Sequence, residues 1–135
     1  MNSETLSGRR FVKFGVVGAS GLLVNTLVLF LGYEVAHMPL ALASMLAVET
    51  AVGNNFIWNN LWTFGQRSFT LDQFLKFNLV SLACMALTVA VLTTLVQWFG
   101  IHYLLANLLA VGVTTVWNFI ANSLWTWNRV SQQVE

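Results

Sequence analysis

A single acidic residue, Glu49, stands inside a long apolar stretch of this sequence and is its first candidate for chemistry. A carboxylate can exchange a proton or accept hydrogen bonds, and placing it in hydrocarbon costs about 2.5–3.5 kcal/mol. It should therefore face a partner, water or a cavity. At helical spacing Glu49 shares a face with Gly53, Phe56 and Asn60. Two interpretations stay open: a functional intramembrane acid, or a protonated Glu49 that joins two helices by a hydrogen bond.

Asparagines form a second group of candidates, because a carboxamide can donate hydrogen bonds to phosphate or sugar oxygens. Asn59 and Asn122 occupy equivalent places in two similar segments, and Asn55 and Asn118 each stand one helical turn before them. The same side chains can equally bond one helix to another, so both roles stay open. Asn25 lies in a further apolar stretch, where the residues alone favour an interhelical hydrogen bond.

Cations are the third group, and they are clustered along the chain: Arg9, Arg10, Lys13, Arg67, Lys76 and Arg129. Lys13 and Lys76 occupy the same place in two Phe-x-Lys-Phe motifs. An ammonium at the depth of the lipid head groups can hold a phosphate. The alternative is that the cations only orient the chain in the membrane and contact anionic lipid.

Combinations typical of enzymes and metal sites are absent from the sequence. It has no H-E-x-x-H motif and no carboxylates paired at catalytic spacing, and its one cysteine, Cys84, excludes an internal disulfide. The 135 residues are 57% hydrophobic and 8% charged, with a mean hydropathy of +0.71. Such a composition argues against a soluble enzyme, a disordered chain and a nucleic-acid binder. We therefore expect a membrane protein that is not an enzyme and needs no cofactor or metal.

Apolar runs between the charged residues predict four transmembrane helices. About twenty residues, each rising about 1.5 Å, are enough to cross a hydrocarbon core of about 30 Å. The expected spans are about 12–33, 41–63, 75–98 and 103–126. We expect an all-α polytopic membrane protein whose residues 1–135 form a single domain, with the first span retained rather than cleaved as a signal peptide.

All six cations fall on one side of these spans, and the other two connections contain no Lys or Arg. Under the positive-inside rule, both termini and the middle loop lie in the cytoplasm.

An internal repeat relates the two halves of the sequence. The motif F-V-K-F at 11–14 recurs as F-L-K-F at 74–77, and N-F-I-x-N-x-L-W-T-aromatic at 55–64 recurs at 118–127, both at an offset of 63 residues. A duplicated two-helix unit explains this constant offset. We place repeat one at about 9–66 and repeat two at about 72–129. Because each copy crosses the membrane twice, the copies are expected to be parallel repeats, related by an axis along the membrane normal.

These motifs resemble those of the GtrA-like family, and the similarity covers about residues 8–129. It is carried by R-R-F-V-K-F-G-V-V-G-A-S-G-L-L-V-N at 9–25, E-T-A-V-G-N-N-F-I-W-N-N-L-W-T-F at 49–64, F-L-K-F-N-L-V at 74–80 and N-F-I-A-N-S-L-W-T-W at 118–127. The resemblance implies a four-helix protein of the bacterial cytoplasmic (inner) membrane that serves cell-surface polysaccharide synthesis or O-antigen modification. It further implies flipping of a polyprenyl-phosphate-linked sugar, such as undecaprenyl-phosphate glucose.

Carried onto this sequence, the resemblance implies a substrate site. Phosphate would be held by Lys13, Lys76 or the adjacent arginines, and sugar hydroxyls would pass along a groove lined by Asn59, Asn55 and Glu49. The expected substrate-binding residues are Lys13, Asn25, Glu49, Asn55, Asn59, Lys76, Asn118, Asn122, Arg9 and Arg10.

Two other functions stay open. The first is a non-transporting anchor or partner of a polyprenyl-phosphate glycosyltransferase, which would be a separate chain. The second is a small proton-coupled exporter, although the six-to-zero cation bias argues against the dual insertion known for such proteins. Since four helices enclose little space, we also expect a homo-oligomer. The remaining expected partners are membrane lipids and a polyprenyl-phosphate lipid or its glycosylated form, and no nucleic acid.

Overall fold

The described part of the chain, residues 7–128 of a computed structural model, is helical and contains no strand. Four of its helical segments are long and apolar enough to span a membrane: Gly8–Val35, Leu40–Thr63, Leu71–Gln97 and Tyr103–Thr126. The prediction of an all-α protein with four transmembrane helices is therefore confirmed. Arg129 lies outside the described residues.

The first and third helices begin four residues earlier than the apolar runs indicated. Each starts after a hydroxyl N-cap: Ser7 Oγ accepts from the backbone N–H of Arg10 at 3.3 Å, and Thr70 Oγ1 accepts from that of Gln73 at 3.2 Å. A capping side chain satisfies a backbone donor of the first turn. The helices consequently extend through charged and polar residues that an apolar run excludes.

The four helices are α1 (Gly8–Phe30), α2 (Leu40–Trp58), α3 (Leu71–Gln97) and α4 (Tyr103–Ala121). Three of them end in a wider π-helical turn, over Leu31–Val35, Asn59–Thr63 and Asn122–Thr126. In the last two turns the backbone N–H of Phe64 bonds the carbonyl of Asn59 at 2.9 Å, and that of Trp127 bonds the carbonyl of Asn122 at 3.0 Å. Such turns are rare and often mark functional sites.

The chain divides into two compact units. The first unit, Ser7–Phe69, contains α1 and α2, and the second unit, from Thr70 onwards, contains α3 and α4. Small residues at every fourth position are buried on α2 and on α4: Ala43, Ala47 and Ala51, and Ala106, Ala110 and Thr114. Small side chains let helix backbones approach closely, and each unit is accordingly a closely packed helix pair.

Helix boundaries recur at the 63-residue offset of the sequence motifs. Gly8 and Leu71 begin α1 and α3, and Leu40 and Tyr103 begin α2 and α4. The turns between the paired helices also correspond: His37 has a φ of 53° and Gly100, 63 residues later, a φ of 65°. This is the left-handed region that favours glycine. That the two units are copies of one ancestor stays a prediction, to which these boundaries conform.

Large apolar side chains are exposed along all four helices, among them Leu23, Met45, Leu79 and Leu108. Soluble monomers rarely expose such extensive apolar surface, whereas lipid covers it at no cost. The chain is a multi-pass membrane protein.

Candidate functional site

The asparagine and the threonine four residues apart in the last two π-helical turns form an internal hydrogen bond in each turn. Thr63 Oγ1 donates to Asn59 Oδ1 at 2.7 Å, and Thr126 Oγ1 donates to Asn122 Oδ1 at 2.7 Å. Asn59 is 1% exposed and Asn122 is fully buried. Neither asparagine presents accessible surface to a ligand in this conformation, and the contacts fit the structural alternative that the sequence left open.

Cations of α1 contact the end of α2 in the first unit. Lys13 Nζ donates to the backbone carbonyl of Trp62 at 3.2 Å and lies 5.3 Å from the centre of the Trp62 ring. The guanidinium of Arg10 lies 5.8 Å from the centre of the Phe64 ring. Cation–π attraction operates at these distances. We call the end of this unit that carries Arg9, Arg10 and Lys13 the first basic end.

Lys76, the counterpart of Lys13 in the second unit, also lies over a tryptophan. Its Nζ is 5.8 Å from the centre of the Trp125 ring, but it also forms an ion pair with Asp72 Oδ2 at 2.9 Å. The two lysines occupy the same place in their Phe-x-Lys-Phe motifs but have different charged surroundings.

A groove of about 660 Å³ runs between α1 and α2 next to Lys13. Its lining residues are Val16, Val17, Ser20, Trp58, Leu61 and Trp62. We call it the first groove. Val16, Val17 and Ser20 follow Lys13 at steps of three, four and seven, which places them on the same face of α1. The first groove thus continues from a cation along an apolar wall to a hydroxyl.

Polar side chains join α1 to α2 at the far end of the first groove. Asn54 Nδ2 donates to Ser20 Oγ at 3.0 Å, and Ser20 Oγ donates to the carbonyl of Val17 at 2.6 Å. One residue further along each helix, Gly21 faces the side chain of Asn55 so closely that a Cβ on Gly21 would overlap the carboxamide. Asn55 is therefore a packing residue of the helix pair.

The second unit uses its polar residues differently. Asn122 Nδ2 donates to Asn118 Oδ1 at 2.6 Å and to the Asn118 carbonyl at 3.0 Å, within one helix. Between α3 and α4, Thr88 Oγ1 donates to Thr114 Oγ1 at 2.9 Å. A cavity of about 410 Å³ lies at the end of this unit opposite Lys76, lined by Leu92, Thr93, Val96, Gln97, Tyr103, Leu104 and Asn107.

Glu49 and Asn25 lie away from the first basic end. Glu49 is exposed on α2, and Asn25 is half-buried on α1, one turn beyond Gly21. Ten residues of helix, about 15 Å, separate Glu49 from Asn59. The groove that the sequence led us to expect, along Asn59, Asn55 and Glu49, differs from the first groove, which none of these three residues lines.

The sequence interpretation missed Ser20, whose hydroxyl lines the first groove, and Asn54, whose carboxamide donates to it. A comparison of the two copies of the repeat could have drawn attention to these two residues. The positions 63 residues after Ser20, Asn54 and Trp58 hold Ala83, Trp117 and Ala121. Two of the three first-unit residues, Ser20 and Trp58, line the first groove, and the third, Asn54, donates a hydrogen bond to Ser20.

Comparison with known proteins agrees with this architecture. The model of a family described as GtrA/DPMS, transmembrane domain, matches residues 13–127. A dolichol-phosphate mannosyltransferase of Pyrococcus furiosus is 38% identical over 124 residues, which are 87% of this chain and 34% of the relative. The chain thus spans about a third of the length of that relative. With four membrane-spanning helices and a family match over nearly its whole length, the chain belongs to the GtrA/DPMS transmembrane domain family.

Proposed function

We propose that this protein moves a polyprenyl-phosphate-linked sugar, such as undecaprenyl-phosphate glucose, between the leaflets of the bacterial cytoplasmic membrane. Family membership is the observation that carries the proposal. The related mannosyltransferase is named for dolichol phosphate, which is itself a polyprenyl phosphate. A role with lipid-linked sugars is therefore the best-supported one for this chain.

The geometry of the first unit supports the same class of ligand. A lipid phosphate needs a cation at head-group depth, and the first basic end supplies Arg9, Arg10 and Lys13. Its apolar chain needs an apolar surface, and the first groove provides one beside Lys13. Translocation makes and breaks no covalent bond, so the protein's contribution is to bind, to shield and to release, and we propose no catalytic residue.

A second candidate function is that of a membrane partner for a polyprenyl-phosphate glycosyltransferase. The observation that favours it is the relative itself, which is named a transferase and of which this chain matches 34%. In that case the chain holds the enzyme at the membrane or presents its lipid, without moving the lipid across.

Reconstitution separates the two functions. The purified protein is placed in liposomes with fluorescently labelled undecaprenyl-phosphate glucose, and exchange between leaflets is followed by the access of a membrane-impermeant quencher. We expect exchange to be faster than in protein-free liposomes and in liposomes that contain an unrelated four-helix protein. Exchange no faster than in these controls, with a folded protein, contradicts the transport proposal. Co-purification of a glycosyltransferase in that case supports the partner function.

A further inference from the structure

The first turns of α1 and α3 differ in charge although they belong to the same motif. Arg9, Arg10 and Lys13 contribute three positive charges to α1. Sixty-three residues later stand Asp72, Gln73 and Lys76, whose charges cancel.

The immediate surroundings of the two lysines differ as well, because Lys76 forms an ion pair in the second unit. Lys76 Nζ lies 2.9 Å from Asp72 Oδ2, one helical turn away, whereas the residue one turn before Lys13 is Arg9. An anion that approaches Lys76 also meets a carboxylate, while an anion that approaches Lys13 meets a second cation. Long-range attraction of a phosphate consequently favours the first unit.

Lys13 is also held in place for a ligand. An ammonium has three N–H donors, and the bond to the Trp62 carbonyl uses one of them. The Trp62 ring, whose centre lies 5.3 Å from Nζ, attracts the positive charge from one side. The position of the ammonium is therefore set before an anion arrives, which reduces the entropy lost on binding.

The first groove lies where the apolar part of such a ligand would follow. Its walls are the valines of α1 and the aromatic and leucine side chains at the end of α2 and in the π-helical turn that follows. Its far end is at Ser20, which accepts a hydrogen bond from Asn54. A groove of about 660 Å³ between two helices offers an apolar surface to one lipid chain.

The second unit keeps apolar residues at four of the six lining positions but lacks the polar pair and one tryptophan of this groove. Ala121 stands where Trp58 forms a wall, and Ala83 and Trp117 replace the Ser20–Asn54 pair. The cavity of the second unit lies at the opposite end from Lys76. Both the charges and the lining residues therefore favour a lipid phosphate at the first unit over the second.

We infer that each chain holds one polyprenyl phosphate, at the first unit alone: its phosphate contacts Lys13 and Arg9, and its first isoprene units lie in the first groove. Lys76 forms no second phosphate site and serves to pack and orient α3. This inference rests on the proposed function for the class of lipid, and it adds where that lipid binds and how many bind.

Lipid binding by the full chain in detergent, counted by native mass spectrometry during titration with undecaprenyl phosphate, tests the inference. We expect one lipid per chain. Lys13→Gln should weaken binding roughly tenfold to a hundredfold, as expected for loss of a charge-assisted hydrogen bond. Lys76→Gln, the matched control in the same motif, should change binding by less than about twofold, because its charge is already paired. Lys13→Arg keeps the cation and should preserve binding.

A second pair of variants tests the groove without changing any charge. Val16→Phe narrows the first groove and should weaken binding, whereas Leu22→Phe, on a different face of α1 and already exposed, should not. Undecaprenol, which lacks the phosphate, and phosphatidylglycerol, which has two chains, are the comparison ligands. Both should bind more weakly than undecaprenyl phosphate.

Several outcomes would overturn the inference: two lipids per chain, equal losses in Lys13→Gln and Lys76→Gln, or phosphatidylglycerol binding as tightly as undecaprenyl phosphate. Leaflet exchange is measured separately. Rapid exchange that depends equally on both lysines would overturn this inference and leave the proposed function standing. One-site binding without exchange would support the inference and contradict transport.

Discussion

Glu49 is the residue whose surroundings are most unusual for its chemistry. It belongs to a membrane-spanning helix, yet its side chain is exposed on the surface of its own unit. An acid in hydrocarbon is costly and is commonly part of an ion or substrate path. In the second half of the chain Gly112 stands at the equivalent position. We propose that Glu49 takes part in transport.

Replacing Glu49 by Gln tests this role at the scale of one residue. Loss of a hydrogen bond to a charged group corresponds to roughly 1.5–3 kcal/mol, so we expect leaflet exchange in Glu49→Gln to slow by roughly tenfold or more. Membrane insertion and expression should not change, because glutamine is less costly in the membrane than glutamate.

Glu34→Gln serves as the control, since Glu34 lies in the π-helical turn after α1, near the connection to α2. Exchange at the native rate in Glu49→Gln would remove Glu49 from the mechanism and favour the helix-joining interpretation.

At the scale of helices, the first helix pair packs through two close approaches at glycines. Gly21 meets the side chain of Asn55, and Gly32 lies beside Ala43, whose Cβ would be 3.1 Å from a Cβ on Gly32. Gly15 and Gly18, by contrast, have open space where a Cβ would stand. The first groove lies beside this contact, so its width depends on how closely the two helices pack.

Gly21→Ala should therefore destabilise the protein, whereas Gly18→Ala should not. The added methyl group at Gly21 must displace Asn55, and overpacking of this kind costs about 1–3 kcal/mol. At Gly18 it meets nothing within 4 Å and gains up to about 1 kcal/mol of helix propensity. Thermal unfolding in detergent, followed by circular dichroism, should show a lower midpoint for Gly21→Ala alone. Equal midpoints for the two variants would mean that α1 and α2 do not make this contact.

For the whole molecule, the distribution of charge decides the orientation in the membrane. The described cations lie near the beginnings of α1 and α3 and in the loop after α2, whereas the α1–α2 and α3–α4 turns contain none. We propose that the termini and the loop between the units are cytoplasmic. We also propose that chains associate into a homo-oligomer, because four helices enclose little volume for a translocation path.

Single cysteines test the orientation in whole cells. In a Cys84→Ala background, Ser68→Cys places a thiol in the loop between the units and Phe99→Cys places one in the exposed α3–α4 turn. A membrane-impermeant maleimide should label the protein with Phe99→Cys in intact cells, and label the protein with Ser68→Cys only after the cells are opened. The reverse labelling pattern would show that the loop between the units lies outside the cell.

The sequence by itself determined the class of the protein and the number of its spans, because partition into lipid depends on composition and run length, which need no tertiary contact. It also led to the family through motifs at 9–25 and 118–127. The helix starts at Gly8 and Leu71 were missed, since apolar runs do not register the caps of Ser7 and Thr70.

Tertiary structure alone decided which polar residues have accessible surface. The Asn-x-x-x-Thr spacing is compatible with a ligand site or with an internal hydrogen bond, and only the folded π-helical turn shows that Asn59 Oδ1 accepts a hydrogen bond from Thr63 Oγ1. Likewise, only the packed helix pair brings Lys13 Nζ to the backbone carbonyl of Trp62 and places it next to the first groove. The charges four residues before the two lysines, Arg9 in one case and Asp72 in the other, are already visible in the sequence. Electrostatic surroundings and shape are properties of the three-dimensional arrangement, which spacing along the chain specifies only in part.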